Sequence, residues 1–128
     1  MITIQDRSFE FACRIVLLHQ DLLRMRGAGR SLAGQLLSSG TSIGSNLEEA
    51  SGGQSKADFI AKCRIALKEA RESRFWLKLF ARTRIITPET AAPLIQEATE
   101  IIAILTTILK KATRSRVRGR EYVDSPSD

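Results

Sequence analysis

The sequence predicts an all-α fold, an antiparallel up-down-up-down bundle of four helices. Apolar residues recur every three or four positions in four successive segments, and no stretch alternates apolar and polar residues as a half-buried strand would. Proline is absent before position 88, while Gly27 with Gly29 and Gly52 with Gly53 punctuate the chain. The segments between breaks run roughly 20–25 residues, or about 30–38 Å at 1.5 Å per residue. Helices of matched length joined by short loops fit such a bundle.

The first helix is expected over residues 6–26. One apolar stripe is Phe9, Cys13, Val16 and Leu23; a second is Phe11, Ile15, Leu18, Leu22 and Met25. At about 100° per residue the two lie on nearly opposite sides of the helix. A monomer needs one core-facing stripe, so two imply self-association. Phe11, Ile15, Leu18, Leu22 and Met25 are assigned to the subunit interface. His19 lies between the stripes and reads as a packing or interface histidine.

The second helix is expected over residues 31–50, with its seam at Leu36, Gly40, Ile43, Leu47 and Ala50, extended by Leu32 and Ala33. Gly34, Gly40 and Gly44 each weaken a helix by about 1 kcal/mol relative to alanine. Close approach of a neighbouring helix offsets that cost, and a break at residues 38–41 is the alternative. GTSIGSN is no phosphate loop, because it lacks the Lys-Ser/Thr pair and a preceding strand.

Ser55 and Asp58 form a capping pair before the third helix, residues 56–82. Its seam is Phe59, Cys63, Ala66, Ala70, Ser73, Leu77 and Phe80. A separate stripe is basic: Arg64, Lys68, Arg71, Lys78 and Arg82, with Arg74 beside it and Phe75 at the intervening position. Asp58, Glu69 and Glu72 occupy another flank. Thr87-Pro88-Glu89 opens the fourth helix with a capping hydroxyl, a first-turn proline and an acid at the positive dipole end, and Pro93 widens its onset to 88–93. The fourth seam is Leu94, Ala98, Ile101, Leu105, Ile108 and Ala112, widened by Ile95, Ile102 and Leu109. Periodicity is lost beyond it, so the expected bundle domain is 1–113 and the expected irregular tail 114–128.

The 128 residues suit one domain. Hydrophobic residues at 43% and charged residues at 27% exclude wholesale disorder. The longest apolar run, 101–105, falls far short of a membrane span, and the first residues lack the apolar core of a secretory signal. Two cysteines build no disulfide scaffold, which favours a reducing cytoplasmic setting. The net charge of +6 is local: Lys110, Lys111, Arg114, Arg116, Arg118 and Arg120 carry six positive charges with no acid among them. That block reads as a solvated tail or a phosphate-binding arm.

Catalytic chemistry finds little support. A single histidine disfavours di-iron and clustered zinc sites. Cys13 and Cys63 fall on apolar seams, where thiols behave as small hydrophobes. No carboxylate pair has a spacing that argues acid–base work. No enzyme activity, metal or other cofactor is expected.

The run Ser42-Ile43-Gly44-Ser45-Asn46-Leu47-Glu48-Glu49-Ala50, followed by Ser55, Asp58-Phe59, Ile65-Ala66, Ser73 and Leu77, resembles the four-helix bundle family of 23S rRNA intervening-sequence proteins. That family includes accessory variability proteins of diversity-generating retroelements. Its pattern, Ser-Ile-x-x-Asn-Ile-Ala-Glu-Gly and then Ser and an acid-Phe pair, is altered here at Leu47 and at Glu48-Glu49-Ala50. The likeness covers roughly residues 8–112. It implies a ring-like homopentamer with basic surfaces able to meet nucleic acid or a reverse transcriptase. It also implies a structural motif of Ser42, Ile43, Asn46 and Glu49, with Asn46 as a buried hydrogen-bonding residue. The expected function is therefore a non-enzymatic homo-oligomer that binds RNA, ahead of DNA, through its basic stripe and C-terminal block. A scaffold for an acidic protein partner is the alternative, and a merely solvated basic stripe competes with both.

Overall fold

In a computed structural model the described residues are 2–52 and 55–124, with side chains described through Arg114. Four helices follow in order: α1 (Ile4–Leu22), α2 (Ala28–Ser51), α3 (Lys56–Arg82) and α4 (Pro88–Asp124). Each packs on its sequence neighbours, and α4 closes the bundle on α1 by the lightest of these contacts.

Local chemistry explains the boundaries. α1 starts earlier than expected because Thr3 and Asp6 form a capping box, the Asp6 N–H donating to Thr3 Oγ1 at 3.0 Å and the Thr3 N–H to the Asp6 carboxylate at 3.3 Å. α3 has the expected bounds, and the Asp58 N–H donates to Ser55 Oγ at 3.1 Å. α2 runs through residues 38–41 without a break. Between α3 and α4 the chain reverses at Arg84, whose φ of 63° lets Ile85 N–H donate to the Phe80 carbonyl at 2.8 Å. α4 begins at Pro88 and carries Pro93 within its second turn.

Two expectations about α4 change. The helix continues to Asp124, past the expected end of the bundle at 113. Extending a formed helix costs little once it is nucleated, and the arginines there are good helix formers. Residues 125–128 of the expected tail lie outside the described residues. Pro88–Arg114 also holds an 18-residue stretch with a mean hydropathy of 1.4, long and apolar enough to cross a membrane by length and composition. Its apolar residues are spread around threonines rather than gathered in one run, so run length understated them. Its seam of Ala91, Leu94, Ala98, Ile101 and Leu105 is buried in the bundle.

The core joins that seam to Leu36, Ile43 and Leu47 of α2 and to Cys63, Ala66, Ala70, Leu77 and Phe80 of α3. Ile60 is buried in the position expected for Phe59, which is half-buried. At the centre of the α2–α3 contact the Ser73 hydroxyl stands 3.0 Å from that of Ser39 and 2.9 Å from the Glu69 carbonyl. Both hydroxyls are fully buried, and each finds a polar partner between the small-residue faces.

The α1 contribution to this core corrects the sequence reading. Phe11, Ile15, Leu18 and Leu22, expected at a subunit interface, are buried within the protomer, and Met25 is half-buried beside Gly29. Two apolar stripes on one helix are equivalent by periodicity alone; only the position of α2 and α4 selects the inner one.

Candidate nucleic-acid interface

The outward face of α3 carries the basic stripe. Arg64, Lys68, Arg71, Lys78 and Arg82 are exposed, and none forms an ion pair among the described residues. Arg74 is different: it is half-buried and donates to Thr99 Oγ1 of α4 at 3.4 Å. It belongs to the α3–α4 contact rather than to the free stripe.

That bond also sets the register between antiparallel α3 and α4. Going back along α3 from Arg74 to Arg64, and forward along α4 from Thr99, brings Lys110 and Arg114 to the Arg64 end of the bundle. Lys110, Lys111 and Arg114 are exposed there. The Arg64 end of the stripe and the start of the C-terminal block thus lie at the same end of the bundle, although they are far apart in sequence. The side chains of Arg116, Arg118 and Arg120 lie outside the described residues.

Acidic groups are placed elsewhere. Arg7 of α1 binds Glu97 of α4 through two guanidinium nitrogens, at 2.7 and 3.0 Å, and Glu100 at 2.7 Å. These charge-assisted bonds hold the Glu97 carboxyl below the usual carboxylate range. On the α3 flank, burial and then the neighbouring Glu72 raise the Glu69 carboxyl above that range.

Aromatic residues interrupt the basic stripe. Phe75, on its outward side, is 56% exposed. Its ring meets Trp76 edge-on, with centroids 5.1 Å apart and planes at 77°. Trp76 lies in turn against buried Phe80, at 6.2 Å.

A second exposed surface lies on α1. With Phe11 and its neighbours turned inward, the other stripe faces solvent: Phe9 at 65%, and Val16 and Leu23 less so. Leu17, also exposed, lies to one side of it, toward Pro93 and Leu94 of α4. Cys13, expected on a core seam, is half-buried on this outer stripe. A mainly apolar groove of 460 Å³ adjoins it, lined by Gln5, Phe9, Ala12, Gly44, Ser45 and Glu48. Cys63, by contrast, is buried, and burial pushes its thiol up from the ordinary value.

The structural motif has simpler chemistry than the family pattern implied. Asn46 is half-buried, not buried, and its amide donates to the Ser42 carbonyl one turn earlier at 2.8 Å. Glu49 does not join it; its carboxylate pairs with Lys62 of α3 at 2.6 Å. Ile43 is in the core. Among the described residues no three His, Cys, Asp or Glu side chains gather as a metal-ligand set.

A crystal structure of a Bacteroides thetaiotaomicron protein of unknown function, from the S23 ribosomal protein family, superposes with a TM-score of 0.78 at 44% identity. The match covers 84% of this chain and 99% of that one. A search of curated proteins finds no match. The family model described as 23S rRNA-intervening sequence protein matches residues 2–107, which spans α1 to α3 and about the first half of α4. The chain belongs to the 23S rRNA-intervening sequence protein family.

Proposed function

We propose that this protein is a non-enzymatic homo-oligomer that binds RNA through the outward face of α3. One observation carries the reading: five exposed cations on α3 are free of ion pairs among the described residues, and their Arg64 end lies level with exposed Lys110 and Arg114 of α4. Cations left free of carboxylates release counterions when they meet phosphates, which drives association and makes it salt-dependent. The exposed α1 stripe of Phe9, Val16 and Leu23 supports self-association, since apolar surface left in water favours burial against a second copy. Five subunits is the stoichiometry implied by the family resemblance. A ring would repeat each modest patch about an axis and raise avidity without sequence-specific contacts. The cytoplasm, where such RNA resides, is the proposed setting.

Arg64→Glu, Arg71→Glu and Lys78→Glu combined should abolish binding of structured RNA in a fluorescence titration. The wild-type affinity should fall steeply with salt, each lost phosphate contact flattening the log–log slope by roughly 0.7–0.9. Unchanged affinity in the triple variant would remove α3 from the interface. Recovery of an acidic protein partner that survives nuclease treatment, without RNA binding, would favour the scaffold reading instead.

A further inference from the structure

Phe75 is the one large apolar side chain set within the free cation stripe. Along the helix Arg71 precedes it by one turn, Lys78 follows by nearly one, and Lys68 and Arg82 lie two turns to either side. Exposed phenylalanine is unremarkable on many surfaces. Here it interrupts a row of strongly hydrated charges, and its edge-on contact with Trp76 holds the ring in place while leaving more than half of the residue in water. Trp76 is itself backed by Phe80 in the core, so the ring stands on a rigid base. A preorganised aromatic face loses little freedom when a second flat ring lies on it.

We propose that Phe75 is a stacking platform for an unpaired nucleobase, so that the α3 face recognises single-stranded or looped RNA rather than duplex. This rests on the RNA-binding reading above and specifies its ligand. The stripe from Arg64 to Arg82 is about 27 Å long at 1.5 Å per residue, so it can follow several phosphates of one strand. Cations on both sides of the ring meet the phosphates flanking the stacked base, and the base lies on the part of the ring that Trp76 leaves in water. In an A-form duplex the base faces are covered by their neighbours, so the ring finds no partner there and only the phosphates remain. Glu72, exposed on the adjacent flank, disfavours a second phosphate strand beside the first.

The test uses the full chain and a labelled unstructured RNA of about 16 nucleotides, free or annealed to its complement. Phe75→Ala should weaken single-strand binding roughly 5- to 100-fold and leave duplex binding and the salt slope unchanged. Phe75→Trp should restore the single-strand affinity, and Phe75→Leu, apolar but without a π-face, should not. Native mass spectrometry of each variant separates an assembly effect from a binding effect. Equal affinities of Phe75→Ala and wild type for the single strand would overturn the stacking role while leaving the RNA-binding reading intact. So would rescue by leucine, equal loss on both RNAs, or a change in assembled mass. Absence of wild-type binding to either RNA at low salt would overturn both.

Discussion

Glycine illustrates how residue-scale rules become specific only in context. A Cβ on Gly40 would stand 2.8 Å from one Ile15 side-chain carbon and 2.9 Å from another, so α1 and α2 approach where only hydrogen fits. A Cβ on Gly44 would meet the Ser8 carbonyl at 3.4 Å, an ordinary contact distance in a close crossing. Gly34 meets nothing within 4 Å and is exposed. Close packing was the expected role for all three, but Gly34 has no such role. Gly34→Ala should therefore raise stability by about 0.5–1 kcal/mol, the propensity gain alone. Gly40→Ala should lower it by about 1–2 kcal/mol, because overpacking against the stiff, branched Ile15 outweighs the same gain. Urea denaturation of the two variants should move the midpoints in opposite directions. Equal shifts would contradict the α1–α2 geometry.

At the scale of elements, polar chemistry joins α1 and α4 where the helices make their lightest contact. Arg7 joins the two helices through Glu97 and Glu100. Because the folded-state pKa of Glu97 is depressed, its contribution is present above the ordinary carboxylate pKa and is lost as pH falls through the folded value. Glu97→Gln should cost about 1 kcal/mol at pH 7, and the difference from wild type should vanish below the usual carboxylate range. Glu69 has the opposite sign. Its folded-state pKa is raised, so its ionisation opposes folding at neutral pH and that penalty is relieved as pH falls. Glu69→Gln should raise the neutral-pH melting temperature and lose that advantage in acid. Thermal scans across pH check both, and parallel pH dependences would refute the assignment.

For the whole molecule, the decisive surface is the outer stripe of α1. Phe9→Asp should leave a helical, cooperatively unfolding protomer but reduce the assembled mass, because Phe9 is 65% exposed. Leu22→Asp should instead destroy cooperative unfolding, because that side chain is 1% exposed and an unpaired carboxylate there costs several kcal/mol. Circular dichroism and native mass spectrometry distinguish the two outcomes. An unchanged mass for Phe9→Asp would remove this stripe from the proposed subunit contact.

The four helices were legible because their periodicity, caps and breaks are local. Ser55 with Asp58 fixed one start, Thr87-Pro88 another, and the α3 seam from Cys63 to Phe80 appeared almost residue for residue. The basic stripe was equally plain, since a helix carries its own angular arithmetic. Tertiary structure decided which side of a two-faced helix is inside. It turned Phe11, Ile15, Leu18 and Leu22 inward and left Phe9 and Leu17 in water. It also withdrew Arg74 to Thr99, separated Asn46 from Glu49, and brought Lys110 to the Arg64 end. Periodicity assigns angles about one helix axis, whereas burial and partnership depend on where the other helices lie.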